Sequence, residues 1–258
     1  MTNRRTALIT GASTGLGAEF ARQLAAQNYN LLLVARRRDK LEEIARELTA
    51  KYGIKSQVIV ADLTGPAAPK MLHDTVKSLG MEVDYLVNNA GVAGPDLIED
   101  RDWQAQVEFF QLMMTSIAHL CHLFIPAMRE RRFGRVINVA SVAARLPRAD
   151  GCNYGPSKAY LVSLSEALAV TLKDTGVHVC ALCPGYTHTD FHATAGLQDM
   201  KDRLPDLLWY PAHIVVADGI KAVEKGKPIC ISGRLYRWLD PFFQSVWTRR
   251  LFRAPGRE

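Results

Sequence analysis

Residues 6–17 read TALITGASTGLG, the segment that indicates the fold most clearly. It passes from an apolar segment typical of a buried strand to a glycine-rich turn, and a helical pattern follows from 18 to 26. Glycines let the backbone approach a pyrophosphate closely, and the start of the next helix offers unpaired N–H groups to it. The order of strand, glycine turn and helix predicts a dinucleotide site, the alternative being a tight turn with a purely structural role.

Apolar segments rich in β-branched residues recur between amphipathic helices along the chain. The predicted strands are 5–10, 30–35, 56–61, 84–88, 134–140, 177–183 and 228–232. Continuous apolar strands that alternate with helices indicate a parallel sheet buried on both faces. We therefore expect an α/β protein with a single-domain Rossmann-type doubly wound fold, a seven-stranded parallel sheet flanked by helices. Two helices are predicted to be long, 102–125 ending before Pro126 and 152–175 ending at Gly176.

The end of the second predicted strand indicates which dinucleotide binds. An acidic residue at this place would bind a ribose 2′-hydroxyl, but the sequence has Arg36 and Arg37 there. A planar guanidinium matches the geometry of a phosphate, so the sequence favours NADP(H) over NAD(H). The alternative is that these arginines only begin a solvated helix.

Three side chains predict a site that moves a proton on or off an alcohol or carbonyl oxygen. Tyr154 and Lys158 are four residues apart on a predicted helix and so share one face. A nearby cation favours the phenolate, which would lower the tyrosine pKa from its ordinary value of about 10. Ser141 can hydrogen-bond the same substrate oxygen.

Taken together, the motifs resemble those of the short-chain dehydrogenase/reductase family, and the resemblance covers nearly the whole chain. The pieces occur in family order: the glycine motif at 10–17, Asp62-Leu63, Asn88-Asn89-Ala90-Gly91, Ser141, Tyr154 with Lys158, and Pro184-Gly185. The resemblance implies an NADP(H)-dependent oxidoreductase that interconverts a carbonyl and a secondary alcohol. In that reaction Tyr154 would be the acid/base.

The resemblance also implies the cofactor contacts. Asp62 and Leu63 would border the adenine, and Lys158 would bind the nicotinamide ribose. Thr187 and Thr189 would hold the carboxamide and a nearby phosphate. The full expected set is Gly11, Ser13, Thr14, Gly15, Leu16, Gly17, Arg36, Arg37, Asp62, Leu63, Asn89, Ala90, Gly91, Tyr154, Lys158, Pro184, Gly185, Thr187 and Thr189. No metal site is expected.

One position departs from the family pattern. The family usually has an asparagine in the helix between the fourth and fifth strands, where it kinks the helix and holds a water leading to the lysine. The alignment puts Met113 there, and a thioether cannot replace an amide. Either the proton path uses another water or turnover is slow. The alternative function is an NADP(H)-binding sensor or scaffold with weak or no turnover.

Composition and the remaining segments indicate the domain organisation, the substrate class and the partners. We expect one dinucleotide-binding and catalytic domain at 1–233, with a substrate lid at 186–210 whose apolar residues favour a small hydrophobic carbonyl or alcohol. The extension at 234–258 carries six arginines, two acids and several aromatics, which suits a neighbouring subunit, a membrane surface or the chain's own core. The resemblance favours a homodimer or homotetramer. No nucleic-acid module is visible.

The cysteines and the N-terminus favour a cytoplasmic protein. Five scattered cysteines, an odd number, indicate free thiols in a reducing compartment. Neither a signal peptide nor an uncharged apolar run of about 20 residues is visible. Cys180 and Cys183 are three residues apart on a predicted strand, so we expect them on opposite faces and buried.

Overall fold

The computed structural model describes residues 4–146, 152–188, 208–245 and 247–248. The strands are β1 Thr6–Thr10, β2 Asn30–Ala35, β3 Ser56–Val60, β4 Tyr85–Asn88, β5 Gly134–Val139, β6 Val177–Cys183, β7 Tyr186–His188, β8 Trp209–Pro211 and β9 Ile229–Ile231. Seven of them form one parallel sheet in the order β3-β2-β1-β4-β5-β6-β9, and β7 pairs with β8. The predicted fold class is confirmed, and the predicted bounds of these seven strands agree with the structure to within one residue at each end.

Helices cover both faces of the sheet. They are α1 Gly15–Ala26, α2 Arg38–Tyr52, α3 Ala68–Ser78, α4 Trp103–Phe110, α5 Ser116–Glu130, α6 Tyr154–Thr171, α7 Ala212–Glu224 and α8 Arg234–Gln244. Buried side chains of α1, α2 and α7 form the core on one face, and those of α3, α4 and α5 form it on the other. Cys180 belongs to the first of these clusters, and Cys183 to a third that contains α5 and α6 residues. The two cysteines therefore lie on opposite faces, as predicted.

The strand order indicates where in the sheet a ligand site lies. The order reverses between β1 and β4, and open parallel sheets bind ligands in the crevice beyond the carboxyl ends of such strands. All five residues of β1 are buried, and its three central residues are apolar, as expected for a strand covered on both faces. The glycine turn follows β1, and the segment beginning at Asn89 follows β4. The two segments therefore meet at one edge of the sheet.

The predicted end of the helix before Pro126 is wrong. The structure has α4, a π-helical segment at Gln111–Thr115 and then α5, which passes through Pro126 and ends at Glu130. Proline removes one hydrogen bond, but Phe124, Ile125 and Met128 are buried around it, and their burial offsets that loss. The continuous helical run Trp103–Glu130, from α4 to the end of α5, has the length and apolar composition of a membrane span. Half of its most apolar window is nevertheless buried in the protein.

Two further expectations differ from the structure. The helix predicted at 152–175 is shorter, since α6 runs from Tyr154 to Thr171. The predicted lid contains β7 and β8, strands of three residues that are too short to leave a periodic pattern in the sequence. Residues 189–207 of that lid lie outside the described residues.

Candidate active site

The glycine turn has the shape of a cradle that only glycine can form. Gly11 and Gly15 have positive φ angles of 67° and 57°. A Cβ atom on Gly11 would lie 2.8 Å from Asn89 Nδ2 and 2.9 Å from the Ala90 Cα. One on Gly17 would collide with the Gly11 carbonyl. The turn therefore fits the close backbone approach that a dinucleotide pyrophosphate needs at the start of α1.

Asn89 and Thr10 hold this turn against the end of β4. The Asn89 side-chain amide donates to the carbonyls of Thr10 at 3.0 Å and Gly11 at 3.2 Å. The Thr10 hydroxyl accepts from the backbone N–H groups of Asn89 and Ala90 at 3.0 and 3.1 Å. From the sequence, Asn89 was expected only as a cofactor contact. The structure gives it the further role of fixing the shape of the turn.

Arg37 and Arg36 occupy different places beside the turn. The Arg37 guanidinium donates to the Ser13 hydroxyl at 3.2 Å and the Thr14 hydroxyl at 3.1 Å. A cavity of about 520 Å³ lies beside these three residues. Arg36 instead lies 4.0 Å from the Asp62 carboxylate, with both side chains largely exposed. Arg37 is therefore the arginine directed at the glycine turn, a distinction that their adjacent positions in the sequence could not reveal.

Ser141, Tyr154 and Lys158 come together beyond the end of β5. Lys158 is buried and its Nζ donates to the Val139 carbonyl at 2.9 Å. The same Nζ lies 5.6 Å from the centre of the Tyr154 ring. The Tyr154 and Ser141 hydroxyls are hydrogen-bonded, and Ser141 Oγ also accepts from the Ala143 N–H at 3.1 Å. The structure therefore brings together the three side chains predicted for proton transfer.

Burial governs the ionisation of Tyr154 and Lys158. It raises the pKa of Tyr154 to about 12, with the Ser141 hydrogen bond acting in the opposite direction. It also lowers the pKa of Lys158 to about 8. The expected lowering of the tyrosine pKa is therefore not seen in this structure, where loss of water around the phenolate raises the pKa. Near neutral pH, Tyr154 keeps its proton and Lys158 is mostly charged.

Turnover in the reductive direction is expected to fall as the pH rises through about 8, because Lys158 then loses its proton. The measurement is kcat for carbonyl reduction as a function of pH. Lys158→Arg keeps its charge at every pH tested and should remove the inflection, although it lowers kcat throughout. An inflection near pH 8 that persists in Lys158→Arg would contradict the assignment.

Met113 lies beside Lys158, where the alignment put it. Its side chain is fully buried in the π-helical segment, and its sulfur accepts from the Val92 N–H at 3.4 Å. A Cβ atom on Gly91 would lie 3.1 Å from this sulfur and 3.7 Å from Lys158 Nζ. Neither neighbouring polar side chain replaces an amide, since Ser116 donates to the Leu112 carbonyl and Thr115 is exposed. An irregular helix is thus retained without the asparagine.

The other expected cofactor residues line the same edge. The Asp62 carboxylate accepts from the backbone and hydroxyl of Thr64, and Leu63 is buried. Thr187 is buried and donates to the Gly185 carbonyl at 3.0 Å. Pro184 accepts from the Val142 N–H at 2.9 Å. Thr189 lies outside the described residues.

Nothing in the sequence indicated that α8 contributes to this site. A Cβ atom on Gly185 would collide with the Tyr236 ring, and the Tyr236 hydroxyl donates to the Leu208 carbonyl at 3.0 Å. Arg145, four residues after Ser141, makes two hydrogen bonds of 2.7 Å to Asp240. Part of the predicted extension thus packs on the chain's own core. Trp238, Phe242 and Trp247 remain exposed.

Comparison with known proteins identifies the family. A family model described as short chain dehydrogenase matches residues 5–199. The chain belongs to the short-chain dehydrogenase family. The predicted resemblance is therefore confirmed, and the protein is a member of an oxidoreductase family.

Its relatives include named enzymes and one named as inactive. The chain is 31% identical over 202 residues to the 3-oxoacyl-[acyl-carrier-protein] reductase FabG of Staphylococcus epidermidis, covering 78% of this chain and 82% of that one. It is 29% identical to the human inactive hydroxysteroid dehydrogenase-like protein 1, covering 86% and 68%. A short-chain dehydrogenase from Sphingobium yanoikuyae, solved in complex with NADPH, is 27% identical with a TM-score of 0.80, covering 88% and 87%.

Proposed function

We propose that this protein is an NADP(H)-dependent oxidoreductase that interconverts a carbonyl and a secondary alcohol on a small hydrophobic substrate. The observation that carries the proposal is the convergence of Ser141, Tyr154 and Lys158 beyond the end of β5, with Lys158 next to Gly91. Tyr154 can give and take a proton, Ser141 can polarise an oxygen, and Lys158 is a fixed cation. This combination suits the interconversion of a carbonyl and an alcohol.

Each side chain has a role in the reductive direction. Bound NADPH would supply a hydride to the carbonyl carbon and leave as NADP⁺. Tyr154 would donate its proton to the carbonyl oxygen, which becomes the hydroxyl of the alcohol. Ser141 would hydrogen-bond that oxygen and favour its developing negative charge. After this transfer Tyr154 is a phenolate, and Lys158 would stabilise it with a nearby positive charge. Water then returns the proton to Tyr154.

The preference for NADP(H) rests on Arg37. Its guanidinium is fixed beside the glycine turn by the Ser13 and Thr14 hydroxyls, and no acid occupies the end of β2. A 2′-phosphate at this place would receive charge-assisted hydrogen bonds. The NADPH complex of the Sphingobium relative supports the same choice.

The hydrophobic substrate class rests on aromatic side chains in the described part of the lid. The Trp209 ring lies 5.3 Å from the rings of both Tyr186 and His188, and it stacks on His188. Large apolar rings with few charges favour an apolar ligand.

The proposal is tested by NADPH and NADH titrations followed by a panel of hydrophobic ketones, aldehydes and quinones. We expect tighter NADPH binding and oxidation of NADPH by at least one panel member, measured by its absorbance. Equal affinity for both cofactors would contradict the NADP(H) preference. Binding without any turnover would instead favour the second candidate.

The second candidate is an NADP(H)-binding sensor or scaffold with weak turnover. The observation that favours it is Met113, whose buried thioether lies beside Lys158 where the family asparagine would hold a water. The intact trio of Ser141, Tyr154 and Lys158 favours the enzyme.

Replacing Met113 with asparagine is expected to raise kcat, because an amide gives Lys158 a polar neighbour that can hold a water. Met113→Leu is the matched control and should leave kcat unchanged, since it offers no polar group. The measurement is kcat with the best panel substrate, together with the melting temperature of each variant. An unchanged kcat in a stably folded Met113→Asn protein would mean that proton transfer does not pass this position.

We further propose that the protein is a cytoplasmic homodimer or homotetramer. The exposed aromatic rings of α8 have two candidate binding partners. A neighbouring subunit or an anionic membrane could cover Trp238 and Phe242, whose ring centres lie 5.6 Å apart. Removing residues 234–258 is a poor test, because Tyr236 is buried against Gly185. The molecular mass in solution and co-sedimentation with anionic vesicles, using Trp238→Ser with Phe242→Ser, distinguish the two.

A further inference from the structure

A buried pair of amide side chains lies directly before the predicted acid/base. Gln106, on α4, and Asn153, the residue before Tyr154, are only 1% and 6% exposed. The Asn153 Nδ2 group donates to Gln106 Oε1. Gln106 Nε2 in turn donates to the Asp96 carbonyl at 2.8 Å. We refer to these two linked hydrogen bonds as the amide bridge.

The bridge joins three segments of the site. Asp96 belongs to the loop that follows β4 and Gly91, and its carboxylate orders that loop by accepting from the N–H groups of Ile98 and Glu99. Gln106 is on α4, whose start is capped by Asp102. Asn153 begins α6, because its carbonyl accepts from the Ser157 N–H at 3.0 Å. The loop after β4 is thereby connected to the residue before Tyr154.

The start of α6 needs such a support. Tyr154 is followed by Gly155, which weakens a helix, whereas Pro156 is tolerated in the first turn because the N–H groups there have no partner within the helix. Asn153 stands at the usual capping position, yet its side chain makes no capping hydrogen bond to α6 and is used in the bridge. The first turn of α6 is therefore fixed from outside the helix.

We propose that the amide bridge is a positioning device for Tyr154, with Gln106 and Asn153 holding the start of α6 in the orientation that proton transfer requires. The inference rests on the proposed function. Neither residue is expected to touch the substrate oxygen. A buried amide that loses its partner leaves polar atoms unpaired, so the helix start would shift until water reached them.

Three variants test the bridge by kinetics. Gln106→Leu and Asn153→Leu should each lower kcat by about 10-fold to 100-fold, since a small misplacement of a reacting group has effects of that size. The NADPH Kd should stay within about twofold. The double variant should be no slower than the slower single variant, because both changes remove one shared contact.

Gln23 provides a matched control on the opposite face of the sheet. Its side-chain amide donates to Glu19 Oε1 at 2.8 Å and to the His213 carbonyl at 2.9 Å, so Gln23→Leu also removes two amide hydrogen bonds. This variant should keep its kcat. Losses that multiply in the double variant, or that accompany equal losses of NADPH binding, would show a general loss of structure and overturn the proposal.

A second readout does not depend on turnover. Tyr154 in protein labelled with ¹³C at the tyrosine ring can be titrated by NMR, with Tyr154→Phe to assign its signal. The wild-type phenol should stay protonated as the pH is raised to about 11, because burial raises its pKa to about 12. In Gln106→Leu and Asn153→Leu it should titrate closer to its ordinary value of about 10.

Failure of the proposed function and failure of the amide-bridge proposal give different results. A wild-type protein that reduces no carbonyl would contradict the proposed function, and the NMR titration would still test the bridge. If the Tyr154 titration is the same in the wild type and the bridge variants, the bridge does not position Tyr154.

Discussion

Tyr154→Phe is expected to lower carbonyl reduction by about 10²-fold to 10⁴-fold, the usual contribution of one positioned proton donor. The change removes only the hydroxyl, which is hydrogen-bonded to Ser141 and holds its proton at neutral pH because burial raises its pKa to about 12. The ring remains beside Lys158 Nζ, so NADPH binding should be nearly unchanged. The measurements are kcat with the best carbonyl substrate and the NADPH Kd by fluorescence.

Tyr160→Phe is the matched control for this variant. Tyr160 lies on the same helix, six residues further on, and is 40% exposed. Its variant should keep the wild-type rate. If Tyr154→Phe retained most of the activity while folded and able to bind NADPH, another group would be the proton donor.

The second large effect is expected from Arg37→Ala, which should weaken NADPH binding by about 10-fold to 100-fold and leave NADH binding unchanged. Hydrogen bonds to a charged group contribute about 1.5–3 kcal/mol each, and 1.4 kcal/mol corresponds to tenfold in affinity. Only NADPH carries the 2′-phosphate that a guanidinium at this place would bind. The measurement is the Kd of both cofactors by fluorescence titration.

The two neighbouring arginines serve as controls for Arg37→Ala. Arg38 is 65% exposed and pairs with Glu42 at 3.5 Å, so Arg38→Ala should affect neither cofactor. Arg36→Ala should weaken NADPH and spare NADH, but less than Arg37→Ala, because Arg36 lies toward Asp62. Equal losses of NADPH and NADH in Arg37→Ala would remove the basis of the phosphate assignment.

The sheet could be predicted from the sequence because its central strands are buried on both faces. A strand such as β2 is apolar at each of its buried positions, Leu31 to Val34, and that composition is visible without the fold. The strand pair β7 and β8 could not be predicted in the same way. Each has three residues, and what holds Trp209 and Tyr186 together is contact between aromatic rings that are distant in sequence.

The site was predictable where one local motif carries the chemistry. The four-residue spacing of Tyr154 and Lys158 on one helix sets their proximity, and the glycines of the turn are forced by positive φ angles and by close contacts. The ionisation of Tyr154 was not predictable, because it depends on how much protein surrounds the phenol. The contact of Gln106 with Asn153 joins residues 47 positions apart, and nothing local in the sequence indicates it.

Under the proposed function, hydride and proton reach the two ends of one carbonyl group at this site. The most direct measurement uses NADPH with deuterium on the reactive carbon of its nicotinamide ring and a ketone that the panel identifies. We predict that the wild type gives an alcohol carrying deuterium on the carbinol carbon, and that Tyr154→Phe gives almost none. Oxidation of NADPH that leaves no deuterium in any product, or equal labelling by the wild type and Tyr154→Phe, would contradict the account.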